Sequence, residues 1–169
     1  DAPREVFRTE DRYYGTQFTD MGETGFAVEY DRDTRVIRRW LIDFEADGAA
    51  PRLAEERSLQ DQYANPGTPL TTRNEFGRNV VDVHEGHILY SGDGASPEGD
   101  RPFLRRMNVE TFEFEELWRN TGENYEEVIG AIEADGSSFL TSWEDPVTPE
   151  NVRWHRDGDV EQITEFENP

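Results

Sequence analysis

Ser96 lies in the segment Gly94-Ala95-Ser96-Pro97-Glu98, whose spacing is the closest in the chain to the nucleophile turn of a serine hydrolase. That turn has the form Gly-x-Ser-x-Gly, and the backbone N–H after the serine helps to stabilise the oxyanion. Here Glu98 replaces the second glycine, and Pro97 has no N–H to donate. We therefore predict that Ser96 is an ordinary loop residue and that the chain has no catalytic residue of its own.

Histidine and cysteine give little support for a metal site. His84 and His87 flank Glu85-Gly86, a turn that could bring both rings near one metal ion, but no third ligand stands at a recognisable spacing. With no cysteine in the sequence, disulfides and thiolate ligands are excluded. We expect neither a metal nor a cofactor, and we expect ordinary hydrogen-bonded or solvated histidines, His155 included.

A polar loop from Ser91 to Leu104 stands between two segments typical of strands. Glycine and proline interrupt it repeatedly, so neither a helix nor a sheet ladder is expected to continue through it. Its charged residues are Asp93, Glu98, Asp100 and Arg101. The planar guanidinium of Arg101 could hold the loop by pairing with a neighbouring carboxylate.

The chain is strongly acidic, with a net charge of -21 from 38 acidic and 17 basic residues, and every basic residue is arginine. This charge disfavours nucleic acid as a partner. A basic protein partner remains an alternative, but the carboxylates are scattered along the whole chain, which favours adaptation to high salt, where repulsion is screened. Aromatic residues make up 12% of the sequence, which argues against a disordered acidic chain.

Alternating apolar and polar residues predict an all-β fold made of three groups of four strands. The predicted strands are 13–18, 26–30, 36–44 and 52–56; 79–83, 87–90, 103–109 and 114–118; and 128–132, 138–143, 151–156 and 160–163. Groups of this size have the spacing of β-propeller blades, although a β-sandwich would also accommodate twelve strands. The four tryptophans, Trp40, Trp118, Trp143 and Trp154, all fall in predicted strands and are expected to pack in the core.

Several segments resemble, in the same order, the propeller of glutamyl-endopeptidase-like enzymes of the prolyl oligopeptidase family of serine peptidases. The strongest is GASPEGDRPFL at 94–104. Weaker matches are YANPGTPL at 63–70, LWR at 117–119, FLT at 139–141 and ITEFENP at 163–169. Together they extend from about Gly25 to the end of the chain. Phe112 stands where the family usually has a glycine, which predicts a different turn geometry, and the segment 145–151 lacks the usual aromatic flank.

The resemblance implies an all-β partial propeller with approximate blades 13–57, 79–118 and 128–163, and no hydrolase domain in this chain. It further implies a non-catalytic lid that gates peptide access in a serine peptidase, whose partners are the rest of the propeller and an α/β-hydrolase domain. Asp93, Glu98, Asp100 and Arg101 are then the candidates for contact with substrate or with the hydrolase domain. The alternative is a stand-alone propeller-like module that binds proteins.

The ends of the sequence favour a fragment, because it starts at Asp1 without methionine and stops at Pro169 in a turn-like segment. No apolar run approaches the roughly 20 residues needed to span a bilayer. We expect a soluble protein with no membrane partner and favour the cytoplasm, although nothing in the sequence fixes the compartment.

Overall fold

A computed structural model describes residues 4–46 and 48–168, which are all-β, as predicted. Strands make up all of the regular structure in these residues. They are β1 (Arg12–Phe18), β2 (Thr24–Tyr30), β3 (Val36–Asp43), β4 (Arg52–Ser58), β5 (Thr68–Pro69), β6 (Thr71–Arg73), β7 (Asn79–Val81), β8 (His87–Gly92), β9 (Phe103–Asn108), β10 (Phe114–Arg119), β11 (Tyr125–Ala131), β12 (Ser138–Glu144), β13 (Asn151–Arg156) and β14 (Asp159–Gln162).

The strands form four antiparallel sheets. The first sheet has the order β1-β2-β3-β4, the second β10-β9-β8-β5 and the third β11-β12-β13-β14, while β6 and β7 form a separate two-stranded hairpin. The chain divides into two compact units. One contains the residues up to Ala64 together with Thr71–Val81, and the other contains Asn65–Leu70 together with the residues from Asp82 onward.

The first sheet contains a buried polar network that is satisfied by its own neighbours. Glu29 is 2% exposed and accepts hydrogen bonds from the indole of Trp40 at 3.0 Å and from the backbone N–H groups of Glu10 and Asp11 at 3.0 and 3.3 Å.

Arg39, 7% exposed, belongs to the same sheet. It donates to Glu55 at 3.1 Å and to Gln17 at 2.8 Å. Buried polar groups need such partners, because an unsatisfied one costs about 1–3 kcal/mol.

The assignment of residues 79–83 to the second sheet is wrong. β7 pairs with β6, and the turn between them is closed by Asn74, whose side-chain oxygen accepts hydrogen bonds from the N–H groups of Phe76 and Arg78, both at 3.0 Å. The backbone of Val81 contacts the segment just after β1, since it bridges to Thr19 and its carbonyl accepts from Asp20 N–H at 2.9 Å. The hairpin therefore belongs to the first unit.

The fourth strand of the second sheet is instead β5, which pairs with Tyr90 and Ser91 of β8. Its approach depends on Gly67, which has φ +90° and lies so close to β8 that an added Cβ would be 2.3 Å from the Ser91 carbonyl oxygen. A strand of two residues, one of them Pro69, shows no period-two pattern, so the sequence offered no signal for it.

The second and third sheets pack against each other through an apolar cluster. Leu89 of β8, Leu104 of β9 and Phe139 of β12 are buried at its centre, and Leu117 and Val128 pack at its edge. Full burial of each large side chain stabilises the fold by about 1.5–3 kcal/mol.

The turn before β12 also approaches the second sheet closely. At Gly136, which has φ +80°, a Cβ would lie 2.5 Å from Leu117 and 3.0 Å from Leu89. This turn therefore has no room for a side chain.

Two turns bear on the sequence expectations. Phe112 has φ 60°, the left-handed conformation that glycine adopts readily, so the backbone of this turn is one that a glycine would also fit. Asp157-Gly158, with φ 52° and 86°, joins β13 to β14 as the Asp-Gly pair indicated.

The described residues contain no helix with the length and apolar character needed to cross a membrane.

Candidate functional site

The loop between β8 and β9 contains a tight turn built around Ser96. The backbones of Ser96 and Gly99 exchange two hydrogen bonds of 3.1 Å, and the Ser96 hydroxyl lies 2.6 Å from the Gly99 carbonyl oxygen. The same hydroxyl accepts from the N–H of Glu98 at 3.2 Å. Ser96 thus serves the loop's own structure, in agreement with its assignment as a loop residue.

Gly94 lets the base of this loop close tightly. Its φ is +63°, and an added Cβ would lie 1.9 Å from the carbonyl oxygen of Arg101 and 2.9 Å from the guanidinium of Arg119. Across the gap, Arg101 N–H donates to the Gly94 carbonyl at 3.0 Å, and Arg119 donates to the Arg101 carbonyl at 2.9 Å. Only glycine fits this approach.

The expectation that Arg101 holds the loop through a carboxylate is wrong. Its guanidinium donates to the backbone carbonyl of Gly122 at 2.5 Å, and no carboxylate in residues 4–46 and 48–168 forms an ion pair with it. The physical reason is position: Arg101 faces the connection between β10 and β11, while Asp93, Glu98 and Asp100 are exposed to solvent. The structure places the four candidates on one loop but does not join the three acids to Arg101.

The pKa of Tyr125, at the start of β11, is affected by the acidic residues of that loop. Burial raises the pKa of Tyr125 to about 12, and Glu127, which accepts its phenol hydrogen bond at 3.1 Å, adds to the rise together with Asp93 and Asp100. The loop therefore presents negative charge close to the point where the third sheet begins.

Beside this loop, where the second and third sheets meet, is a cavity of about 460 Å³, here called the polar pocket. Its polar lining includes Arg119, Asn120, Asn124, Glu126, Arg153 and Gln162. A second cavity of about 620 Å³ includes the turns at Gly136 and Gly158. Trp118, His155 and Val160 line both cavities.

A buried cluster of Glu126, Thr141 and His155 forms one wall of the polar pocket. Strand register brings these residues together, because β12 pairs with β11 on one side and with β13 on the other. The Thr141 hydroxyl donates to Glu126 Oε1 at 2.7 Å, and His155 Nε2 lies 2.9 Å from the same oxygen. The His155 ring stacks on Phe139 with a centroid distance of 4.6 Å.

The geometry of the cluster does not activate Thr141 as a nucleophile. In a nucleophile–base–acid relay, one ring nitrogen faces the nucleophile and the other binds the acid. Here His155 Nε2 faces both Thr141, at 3.1 Å, and Glu126, at 2.9 Å, while Thr141 donates directly to the acid. The cluster therefore fixes the sheet and the pocket wall and does not form a catalytic triad.

Glu126 is ionised in this setting. Burial alone raises the pKa of its carboxyl, but the hydrogen bonds with His155 and from Thr141, with help from the charge of Arg153, outweigh burial and hold the pKa below its usual range. The pocket wall thus contains one stable negative charge.

Arg153 is held at the pocket by contacts that leave most of its donors free. Its guanidinium lies over the Trp143 ring, 4.0 Å from the centroid, and its one ion pair with a described residue, Glu126, is long at 3.4 Å. Arg119, by contrast, donates to Glu116 through both Nε and Nη2, in addition to the Arg101 carbonyl.

The sequence of this chain matches those of probable chloroplastic glutamyl endopeptidases from two plants. It is 30% identical to the protein of Oryza sativa subsp. japonica over 190 residues, and 29% identical to that of Arabidopsis thaliana over 188 residues. The match covers 100% of this chain in both cases. The homologues of this chain are therefore glutamyl endopeptidase-like. The resemblance seen in the sequence motifs is confirmed.

The chain spans only about a fifth of these relatives, 20% of the rice protein and 19% of the Arabidopsis protein. No model of a known protein family matches the sequence. Among solved structures, the β-propeller domain of the Trilobed protease from Pyrococcus furiosus is similar, with a TM-score of 0.49 and 14% identity. That similarity covers 90% of this chain and 43% of the solved one.

Sequence reasoning missed the contacts among the residues that line the polar pocket. Glu126 and His155 are 29 positions apart, and their contact depends on the register of three strands. One signal in the sequence could have been used. Arg153 and His155 are two positions apart on β13, so both side chains lie on the same face of the third sheet.

Proposed function

We propose that this chain is part of the β-propeller of a prolyl-oligopeptidase-family serine peptidase, and that it acts as a non-catalytic lid that restricts which peptides reach the hydrolase site. The observation that carries the proposal is the match of the whole chain to about one fifth of two glutamyl endopeptidases. A segment that accounts for so small a part of such enzymes fits an accessory role.

The strand order supports a propeller over a sandwich. The first and third sheets are four-stranded meanders, and the second differs only in that the hairpin of β6 and β7 separates β5 from β8. Propeller blades are four-stranded antiparallel sheets of this type repeated along the chain. We propose three blades: the first and third lie close to the predicted limits 13–57 and 128–163, and the second, predicted at 79–118, consists of Thr68–Pro69 with residues 87–119, without the hairpin of β6 and β7.

The loop with Asp93, Glu98, Asp100 and Arg101 remains our candidate for contact with substrate or with the hydrolase domain. Its three acids are exposed, and its base is fixed by Gly94 and by the hydrogen bond from Arg101 to Gly122. A rigid loop with exposed charge can contact a neighbour without first becoming ordered.

We also attribute the net charge of -21 to adaptation to high salt. At molar salt the screening length is only about 3 Å, so the repulsion among scattered carboxylates is largely removed. No single partner is then needed to explain the acidic composition.

A chimeric enzyme tests the lid role. This chain would replace the matching segment of the rice glutamyl endopeptidase, and hydrolysis of a short glutamyl peptide would be compared with hydrolysis of a folded protein that contains the same sequence. We expect the chimera to cleave the short peptide and to spare the folded protein.

The informative variant of the chimera is Gly94→Val. Its side chain would collide with the backbone carbonyl of Arg101 and must open the base of the loop. We expect this variant to weaken the discrimination between the two substrates, and Pro97→Val, at an exposed position of the same loop where φ is not positive, is the control. Equal discrimination in the chimera and in Gly94→Val would exclude the loop from gating. Failure of the chimera to discriminate at all would contradict the lid function.

A further inference from the structure

We propose that the polar pocket binds a carboxylate group of a peptide, with the guanidinium of Arg153 as its main partner and the side-chain amide of Asn124 as a second donor. The inference rests on the proposed function only for the ligand class, a peptide. The pocket itself is defined by contacts within the second compact unit.

The guanidinium of Arg153 is held in position but keeps donors that no described residue uses. Its side chain is 25% exposed, and its indole neighbour Trp143 holds the guanidinium plane at 4.0 Å. A guanidinium has five N–H donors. In the part of the chain that the structure describes, only one of them has an acceptor, Glu126 at 3.4 Å. A fork with this many free donors matches the two oxygens of a carboxylate.

Asn124 supplies an independent observation. Its amide nitrogen is buried without a hydrogen-bond partner among the described residues, although it belongs to the lining of the pocket. Leaving such a donor unpaired costs about 1–3 kcal/mol. Hence a small rotation of the Asn124 side chain toward an acceptor in the pocket would recover a contact that the described residues do not provide.

The backbone of the connection that contains Asn124 is held in place by side chains around it. The Asn120 side chain donates to the Asn124 carbonyl at 2.8 Å and accepts from Gly122 N–H at 3.0 Å. Arg101 donates to the Gly122 carbonyl from the other side. The pocket is therefore ordered before any ligand arrives.

The local charge selects an anion even though the whole chain is acidic. Two arginines, Arg119 and Arg153, line the pocket against one carboxylate, Glu126. Glu126 Oε1 is already bound by Thr141 and His155. Arg119 donates to Glu116. Among the described residues, the donors that remain free are those of Arg153 and Asn124.

The size and walls of the pocket fit a peptide carboxylate with its adjoining carbon chain. A cavity of about 460 Å³ exceeds what a bare ion needs, and Trp118 and Val160 add apolar surface beside the polar groups. The carboxylate could come from an acidic side chain or from a chain terminus, which offer the same two oxygens.

The experiment is an NMR titration of the isotope-labelled 169-residue chain, with the indole N–H of Trp143 and the side-chain amide of Asn124 as reporters. The first probe is the tripeptide Ala-Glu-Ala, acetylated and amidated at its ends. The matched probes are the capped Ala-Gln-Ala, the same glutamine peptide with a free carboxyl terminus, and inorganic phosphate.

We expect saturable shifts of both reporters with a carboxylate peptide and none with the capped glutamine peptide. Response to the capped glutamate peptide identifies a side-chain carboxylate as the ligand group, whereas response to the free terminus alone identifies the chain end. Phosphate that binds more tightly than either carboxylate would overturn the assignment.

Two variants test the named donors. Arg153→Gln should weaken carboxylate binding about tenfold or more, in keeping with the strength of charge-assisted hydrogen bonds. Arg156→Gln is the matched control, because Arg156 also stacks on a tryptophan of β13, at 4.2 Å, but lies outside the polar pocket. Asn124→Ala should weaken binding severalfold without lowering the thermal midpoint, since the amide nitrogen it removes has no partner.

Equal affinity in the wild-type chain and in Arg153→Gln, or no saturable shift with any carboxylate, would overturn the proposal. Carboxylate binding alongside a chimera that fails to discriminate by substrate size would refute the lid function and leave the pocket assignment intact. The two proposals therefore fail separately.

Discussion

Glu29 in the first sheet and Glu126 in the third sheet are both buried carboxylates, but their surroundings differ in kind. Glu29 is bound by an indole and two backbone N–H groups, none of which titrates in the ordinary pH range. Glu126 is bound by a threonine and a histidine and has a long contact with an arginine at the edge of a cavity.

The arginines of the two networks show the same contrast. Arg39 is bound by Glu55 and Gln17 at 3.1 and 2.8 Å, whereas Arg153 donates a single hydrogen bond, of 3.4 Å, in the described residues. A network that satisfies its own members stabilises a fold. One that leaves donors free next to a cavity can bind something else. Variants can test this distinction directly.

The largest effect is expected for Glu29→Ala. Three donors lose their acceptor, so we expect the free energy of unfolding to fall by about 3 kcal/mol. Urea unfolding in high potassium chloride measures it, with Glu10→Ala as control because only the backbone of Glu10 contacts Glu29. A loss below about 1 kcal/mol would show that the network of the first sheet is less important than its contacts indicate.

A paired comparison of arginines comes next. Arg39→Gln should lower the free energy of unfolding by about 2 kcal/mol, because it breaks a buried ion pair and a hydrogen bond. Arg153→Gln should lower it by less than about 1 kcal/mol, mainly through the lost stacking on Trp143. Equal losses in the same urea assay would remove the contrast between a structural and a ligand-binding arginine.

A pH-dependent effect should distinguish Glu126. Because the folded-state pKa of Glu126 lies below the ordinary value of 4.5, its contribution is complete above that value and is lost as the pH falls through the lower, folded-state pKa. Glu126→Gln should therefore cost about 1–2 kcal/mol at pH 7, and progressively less in acid. Unfolding curves from pH 7 to pH 3 check this, with the exposed Glu123→Gln as control. A cost that does not change with pH would contradict it.

The smallest change is spectroscopic. Absorbance titration should show one tyrosine with a pKa near 12, that of Tyr125, and Glu127→Gln should lower that value by removing the neighbouring charge and hydrogen-bond acceptor. Burial, the main cause, would remain, so the pKa should stay above 10, the ordinary value. Tyr125→Phe identifies the titrating group, and an unchanged titration in Glu127→Gln would argue against the charged surroundings described for β11.

The strands that could be predicted from sequence are those with alternating apolar residues and glycine-containing turns. β12 and β13 match the predicted 138–143 and 151–156 almost residue for residue. β5 could not be found, because two residues give no period, and β6 is a Thr-Thr-Arg segment with no apolar side chain. Without β6, the sequence predicts that β7 belongs to the second sheet, which is wrong.

The candidate site shows a similar division. Glycines and prolines located the loop before β9 correctly, because their effect on the backbone is local. The partner of Arg101 is a backbone carbonyl 21 residues away, and a carbonyl carries no signature in the sequence. Glu126 and His155 meet only through strand register, which requires the paired structure to be known.

The acidic loop at residues 93–101 has a consequence for the speed of binding. It is fixed by Gly94 and exposes Asp93, Glu98 and Asp100 close to the start of β11, next to the polar pocket. An anion that diffuses toward the pocket meets repulsion before it meets Arg153, so arrival is slow in dilute buffer and becomes faster as salt shortens the range of that repulsion. Contacts inside the pocket are partly buried, so salt screens them much less, and they set the rate of departure. In concentrated salt the pocket would therefore fill quickly and still empty slowly.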